Sequence, residues 1–192
     1  MEGKDRGAVP DLKEKLIAEG HRFSFIQAYR LILHLIGKEK GCAPDVNLLS
    51  NHIRVRPELS LSFPGTDVVK IEEIPGDDIA YRITASFLGL YGSSSPLPTF
   101  YTEDLLQERL QDHSISRDFI DIFNNSLYSL FFECWSVFNL FHRIYEKEDK
   151  NTMLKLFCLI GLEGSKLRQS VPDAMQLLSY TGILSQFPRS AE

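Results

Sequence analysis

FLGLYGSSSPLPTFYTEDLL, residues 87–106, is the stretch on which the fold turns: an apolar extended segment runs into a Gly/Ser/Pro corner and leaves it as a helix. Gly89 and Gly92 bracket Leu90 and Tyr91, so the backbone can turn tightly while two large side chains are held for packing. Pro96 and Pro98 stiffen the exit. Thr102, followed by Glu103 and Asp104, reads as an N-cap with acidic residues at the positive end of the helix dipole. Sheet is therefore expected before this corner and helix after it.

Upstream, residues 11–19 place Leu12, Leu16 and Ile17 on one helical face, with Gly20 as a stop. In RFSFIQAYRLILHLIGK, Phe25, Tyr29, Leu33 and Ile36 recur at three- and four-residue spacing. Ile26, Leu31, Ile32 and Leu35 widen the stripe, which predicts a helix with several neighbours. HIRVR at 52–56 alternates as a half-buried strand does, and Leu59, Leu61 and Phe63 alternate with Ser60 and Ser62 as a second extended piece. Residues 68–74 and 79–88 predict two more strands joined by the turn PGDD at 75–78.

Beyond Tyr101 the spacing predicts helices over 102–111, 116–148, 152–162 and 172–184. The expected class is α+β. N-terminal helices and a loop occupy residues 1–50, a small, mainly antiparallel sheet region 51–100, and a helical region with one long aromatic-rich helix 101–192.

Composition narrows the function. A net charge of −5 and the lack of a recurring Lys/Arg stripe argue against nucleic-acid binding. Cys134 and Cys158 lie among apolar helical residues and are expected to be core thiols in a reducing compartment; Cys42 stands apart. The N-terminus carries no secretory signal pattern. No phosphate loop, dinucleotide fingerprint, zinc-protease motif or nucleophile elbow occurs, and the five histidines stand at no ligand spacing, so no catalytic residue, metal or cofactor is expected.

Within the long helix Phe119, Phe123, Leu127, Phe131, Trp135, Phe138, Phe141 and Tyr145 follow one another at three- and four-residue steps, while Glu133 and Asn139 interrupt an apolar run too short to span a bilayer. These side chains serve either the chain's own core or a partner. Thirteen Phe, seven Tyr and one Trp are more aromatic surface than one small sheet and a few helices hide with ease. The interface candidates are Phe87, Leu90, Tyr91, Phe131, Trp135, Phe138 and Phe141. The alternative from another class is a small-ligand or anion-binding module using the corner at 89–98 with Tyr91 and Tyr101.

Four blocks in order, RFSFIQAYRLI at 22–32, IRVRPELSLSFP at 53–64, FLGLYGSSSPLPTFYTEDLL at 87–106 and RDFIDIFNNSLYSLFFECW at 117–135, resemble TssG (VasB, ImpH), a subunit of the type VI secretion system baseplate. The third block is the most specific, with Ser95 where the family commonly has glycine. Asn125 and Ser126 replace a His-Arg pair common in the family, so contacts of that pair do not carry over. The resemblance implies a non-enzymatic structural protein that binds TssF in a wedge. With TssK and TssE the wedge builds a cytoplasmic baseplate, at the inner face of the cytoplasmic membrane, for the contractile tail. It implies neither nucleic-acid binding nor integral membrane insertion. The chain ends at FPRSAE, where family members continue, so an N-terminal fragment lacking some TssK contacts is expected.

Overall fold

In a computed structural model, which describes residues 8–41, 52–74, 81–147 and 149–186, the stripe beginning at Phe25 forms one helix because both its ends are closed. The Ser24 hydroxyl accepts from the Gln27 amide while the Gln27 side chain accepts from the Ser24 amide, and Gly41 ends the helix at φ +64°. This is α2, Phe25–Lys40. It follows α1, Ala8–Ala18, and a single 3-10 turn, Gly20–Arg22, at the predicted glycine stop.

Among the described residues three strands follow: β1, Ile53–Pro57; β2, Val68–Glu73; and β3, Tyr81–Ala85. Their order is β1-β3-β2, with β3 antiparallel to β2 and parallel to β1. The sheet is thus mixed rather than mainly antiparallel. The connection over residues 58–67 lets β2 start away from β1, and β3 returns into the gap. Alternation in sequence places a side chain on a face but does not choose the neighbouring strand or its direction. The 75–78 turn lies outside the described residues.

The extended piece expected at Leu59–Phe63 is not a strand. The Ser60 hydroxyl takes the Ser62 amide at 3.1 Å and meets the Ser62 hydroxyl at 2.7 Å. Such local side-chain bonds compete with a ladder. Leu59 is buried, whereas Phe63 is almost fully exposed.

Helix α3 spans Thr99–Leu110 and opens at Pro98, four residues before the predicted cap; Thr102 is buried inside it. Helix α4, Ile115–Phe138, stops short of the predicted end. Asn139 interrupts it, its side-chain oxygen accepting from the His142 amide, and a π-helical turn follows over His142–Glu146. Asp149 caps α5, Lys150–Leu159. The helix predicted over 172–184 is broken into α7, Ala174–Leu177, a 3-10 turn, Leu178–Tyr180, and α8, Thr181–Leu184, all following a short α6, Ser165–Ser170. Pro172 and an Asp173 at φ +59° interrupt the helical path there.

The chain divides into two compact units, Met1–Trp135 and Ser136–Glu192. The core of the first joins Leu16 of α1 and Phe25, Tyr29, Ile32 and Ile36 of α2 to Val55, Ile71, Tyr81 and Ile83 of the sheet and to Tyr128 and Phe132 of α4. A smaller cluster, Leu59, Tyr91 and Leu105, lies under the corner. The second unit is centred on Ile144, Phe157 and Leu178.

Candidate functional site

The corner is built by close approach. A side-chain carbon added at Gly89 would lie 2.4 Å from Cβ of Pro57 and 2.9 Å from the Tyr91 carbonyl, so only glycine lets this backbone reach the end of β1. Gly92 adopts φ +113°, and Leu88 holds a left-handed φ of 58°. What fixes this shape comes from α4. Arg117, Asp121, Asn124 and Tyr128, spaced four, three and four residues apart, form one stripe directed at the corner.

The Tyr91 hydroxyl accepts from Arg117 Nε at 3.0 Å and donates to the Asp121 carboxylate at 2.7 Å. The same carboxylate accepts from Asn124 Nδ2 at 3.1 Å, and the Asn124 amide oxygen accepts from the Leu90 backbone at 3.0 Å. A second nitrogen of Arg117 donates to the Pro57 carbonyl at 3.3 Å, and the Tyr128 hydroxyl donates to the Phe87 carbonyl. The Gly92 amide is taken by the Thr102 hydroxyl at 3.2 Å. Burial pushes the Tyr91 phenol well above its usual range, and the facing Asp121 adds to this, so its proton stays on oxygen. Burial acts likewise on Tyr128.

This network is satisfied from within the chain. The amides of Leu90 and Gly92, two of the backbone donors at the corner, already have intramolecular partners. No group of three or more His, Cys, Asp or Glu among the described residues could hold a metal. The arrangement clamps the strand-to-helix corner onto β1 and α4.

Helix α4 is consequently inverted. Its buried side carries Asp121 and Asn124 beside Tyr128 and Phe132, and its outer side is largely apolar. Phe119 (62% exposed), Ile122, Phe123 (52%), Leu127, Leu130 and Phe131 face outward on four turns of the first unit. Phe119 and Phe123 stack edge to face, 5.4 Å between centroids. Exposed rows of large apolar side chains commonly mark protein–protein contact surfaces.

The interface candidates fall on different ground. Tyr91 is 2% exposed and belongs to the clamp, with Leu90 partly buried beside it. Phe87 packs on Phe25 and Tyr128, and Trp135 packs on the first core with its ring 5.7 Å from that of Phe132. Phe131 is shared: its ring meets Phe25 and Phe87, yet more than a third of it is open. In the second unit Phe138 (86% exposed) and Phe141 are open. Cys134 and Cys158, expected in the core, are exposed free thiols; Cys134 lies on the outward side of α4 with Leu127 and Leu130. Sequence reasoning missed the polar stripe because Asp and Asn look like surface residues. Its four-three-four spacing, in register with Tyr128, is the signal that reveals it.

The family model described as "Type VI secretion, TssG" matches residues 19–192. The chain belongs to the TssG family. As a TssG-family protein it is a component of the type VI secretion baseplate, a structural assembly. Neither comparison with curated proteins nor comparison with solved structures gives a significant match. No helix among the described residues of this TssG-family chain is long and apolar enough to cross a membrane.

Proposed function

We propose that the chain is a baseplate wedge subunit that binds TssF through the outer face of α4, in the cytoplasm, and helps build the platform for the contractile tail with TssK and TssE. The inverted α4 is the observation that carries the reading. Exposing Phe119, Ile122, Phe123 and Leu130 has no advantage for an isolated chain, and it supplies apolar anchors to an assembled one. TssF is named because the four-block resemblance to TssG implies it as the wedge partner.

Co-expression with the cognate TssF should yield a stable complex, and Phe119→Asp/Phe123→Asp should abolish it while the isolated variant keeps its fold. Each lost anchor should cost about 2 kcal/mol of binding. Trp135 is unsuited to this test, since its truncation would open the core. A wild-type chain with no affinity for TssF would overturn the assignment.

A further inference from the structure

We propose that the outer face of the three-stranded sheet is a second docking surface, one that receives an acidic segment of a protein partner. The helices and the apolar core cover one face of the sheet, through Ile53, Val55, Ile71, Tyr81 and Ile83. Strand register fixes what stands on the other. Arg54 of β1 lies opposite Arg82 of β3, which lies opposite Glu72 of β2; in the next row Arg56, Thr84 and Lys70 are aligned. Three arginines and a lysine thus share a half-exposed patch with one carboxylate, in a chain whose net charge is −5.

That carboxylate is already committed. Glu72 lies 2.6 Å from Lys70 and 3.9 Å from Arg56, and the Lys70 hydrogen bond holds it below the usual carboxylate range. Arg54 and Arg82 form no ion pair among the described residues, although they stand on adjacent strands about 4.8 Å apart. Like charges directly opposite on a sheet are destabilising. Arg56 is pressed by Arg117 and Arg82 as well, and its buried Nε makes no hydrogen bond. Asp121 faces this side of Arg56, but its carboxylate serves Tyr91 and Asn124.

Such a cluster is unfavourable until opposite charge arrives. Guanidinium forks match carboxylates two bonds at a time. Arg54 and Arg56, two residues apart on one strand, repeat at about 6.6 Å, the spacing of alternate side chains on an extended segment. A small flat patch on an acidic chain favours a protein carboxylate pair over a nucleic-acid backbone, which needs a long basic track. The proposal rests on the baseplate reading only in taking the partner to be a neighbouring subunit.

The test titrates the full chain with a fluorescent peptide alternating glutamate and threonine, followed by anisotropy at low and near-physiological salt. Binding should weaken with salt and fall about fivefold or more in Arg54→Glu/Arg82→Glu, with Arg54→Lys/Arg82→Lys in between. No binding by the wild-type chain, or equal binding by the charge-reversed one, overturns the proposal. Tighter binding to a short DNA duplex or to phosphatidylserine vesicles, lost in the same variant, overturns it too. Arg54→Gln and Arg82→Gln should each unfold at an unchanged or higher temperature, because a repulsion is relieved; a clear fall would mean the pair holds the fold and would sink the idea. TssF co-purification is read separately: its failure with peptide binding intact removes the wedge reading alone.

Discussion

Tyr91 shows how one side chain couples stability to pH. Its phenol is raised by burial and then by Asp121, so the folded chain keeps it neutral while an unfolded chain ionises it near pH 10. A raised pKa contributes stability that is complete below the unfolded value and is lost as pH rises beyond it. Denaturation midpoints should therefore fall above about pH 10, and more steeply in the wild type than in Tyr91→Phe; parallel curves would contradict the clamp. At neutral pH Tyr91→Phe removes the donor to Asp121 and the acceptor of Arg117, and should cost about 1–3 kcal/mol by chemical denaturation. Asp149 has the opposite sign. Hydrogen bonds from the Thr152 hydroxyl and Arg143 hold its carboxylate well below the usual range, so its contribution is present above the ordinary carboxylate value near 3.8 and is lost as pH falls beneath it. Acid titration of helical ellipticity should be shallower in Asp149→Asn than in the wild type.

At the scale of elements, α4 decides most. Because Phe123 and Leu130 are exposed, Phe123→Ser/Leu130→Ser should change folding stability by no more than about 0.5 kcal/mol per site while reducing self-association at high concentration. A large loss of stability would mean that the stripe belongs to a core. The edge strand β1 tests the other side of the same helix. The Asn125 side chain accepts from the Val55 amide at 2.9 Å, so Asn125→Ala leaves that edge donor unpaired and should cost about 1 kcal/mol, read as a lower denaturation midpoint. Helix α2 was legible in the sequence because its period and its capping box agree, and β1 and β3 because alternation survives in Ile53, Val55, Tyr81 and Ile83. Leu59–Phe63 misled because serines that satisfy one another locally mimic a strand's polar face. The corner announced its geometry through Gly89 and Gly92, but its partners on α4 did not: a buried aspartate is visible only once Tyr91 and Asn124 are seen to meet it.

The two units of the molecule are unequally provided for. Among the described residues, the first gathers α1, α2, the sheet and part of α4 around one continuous core, while the second rests on Ile144, Phe157 and Leu178 with a few partly buried neighbours. Its helices α6, α7 and α8 are short, and Leu140, Phe141, Tyr145 and Ile183 remain open. So small a core rarely holds a unit of this size firmly by itself. Local opening should therefore be cheaper there. In native-state hydrogen exchange, amides of α5 to α8 should exchange about a hundredfold faster than those of Val55, Ile83 and Ile32. Addition of a baseplate partner that covers Phe141 and Tyr145 should slow the fast set and leave the slow set unchanged. Equal protection in both units would show that the second is held as firmly as the first.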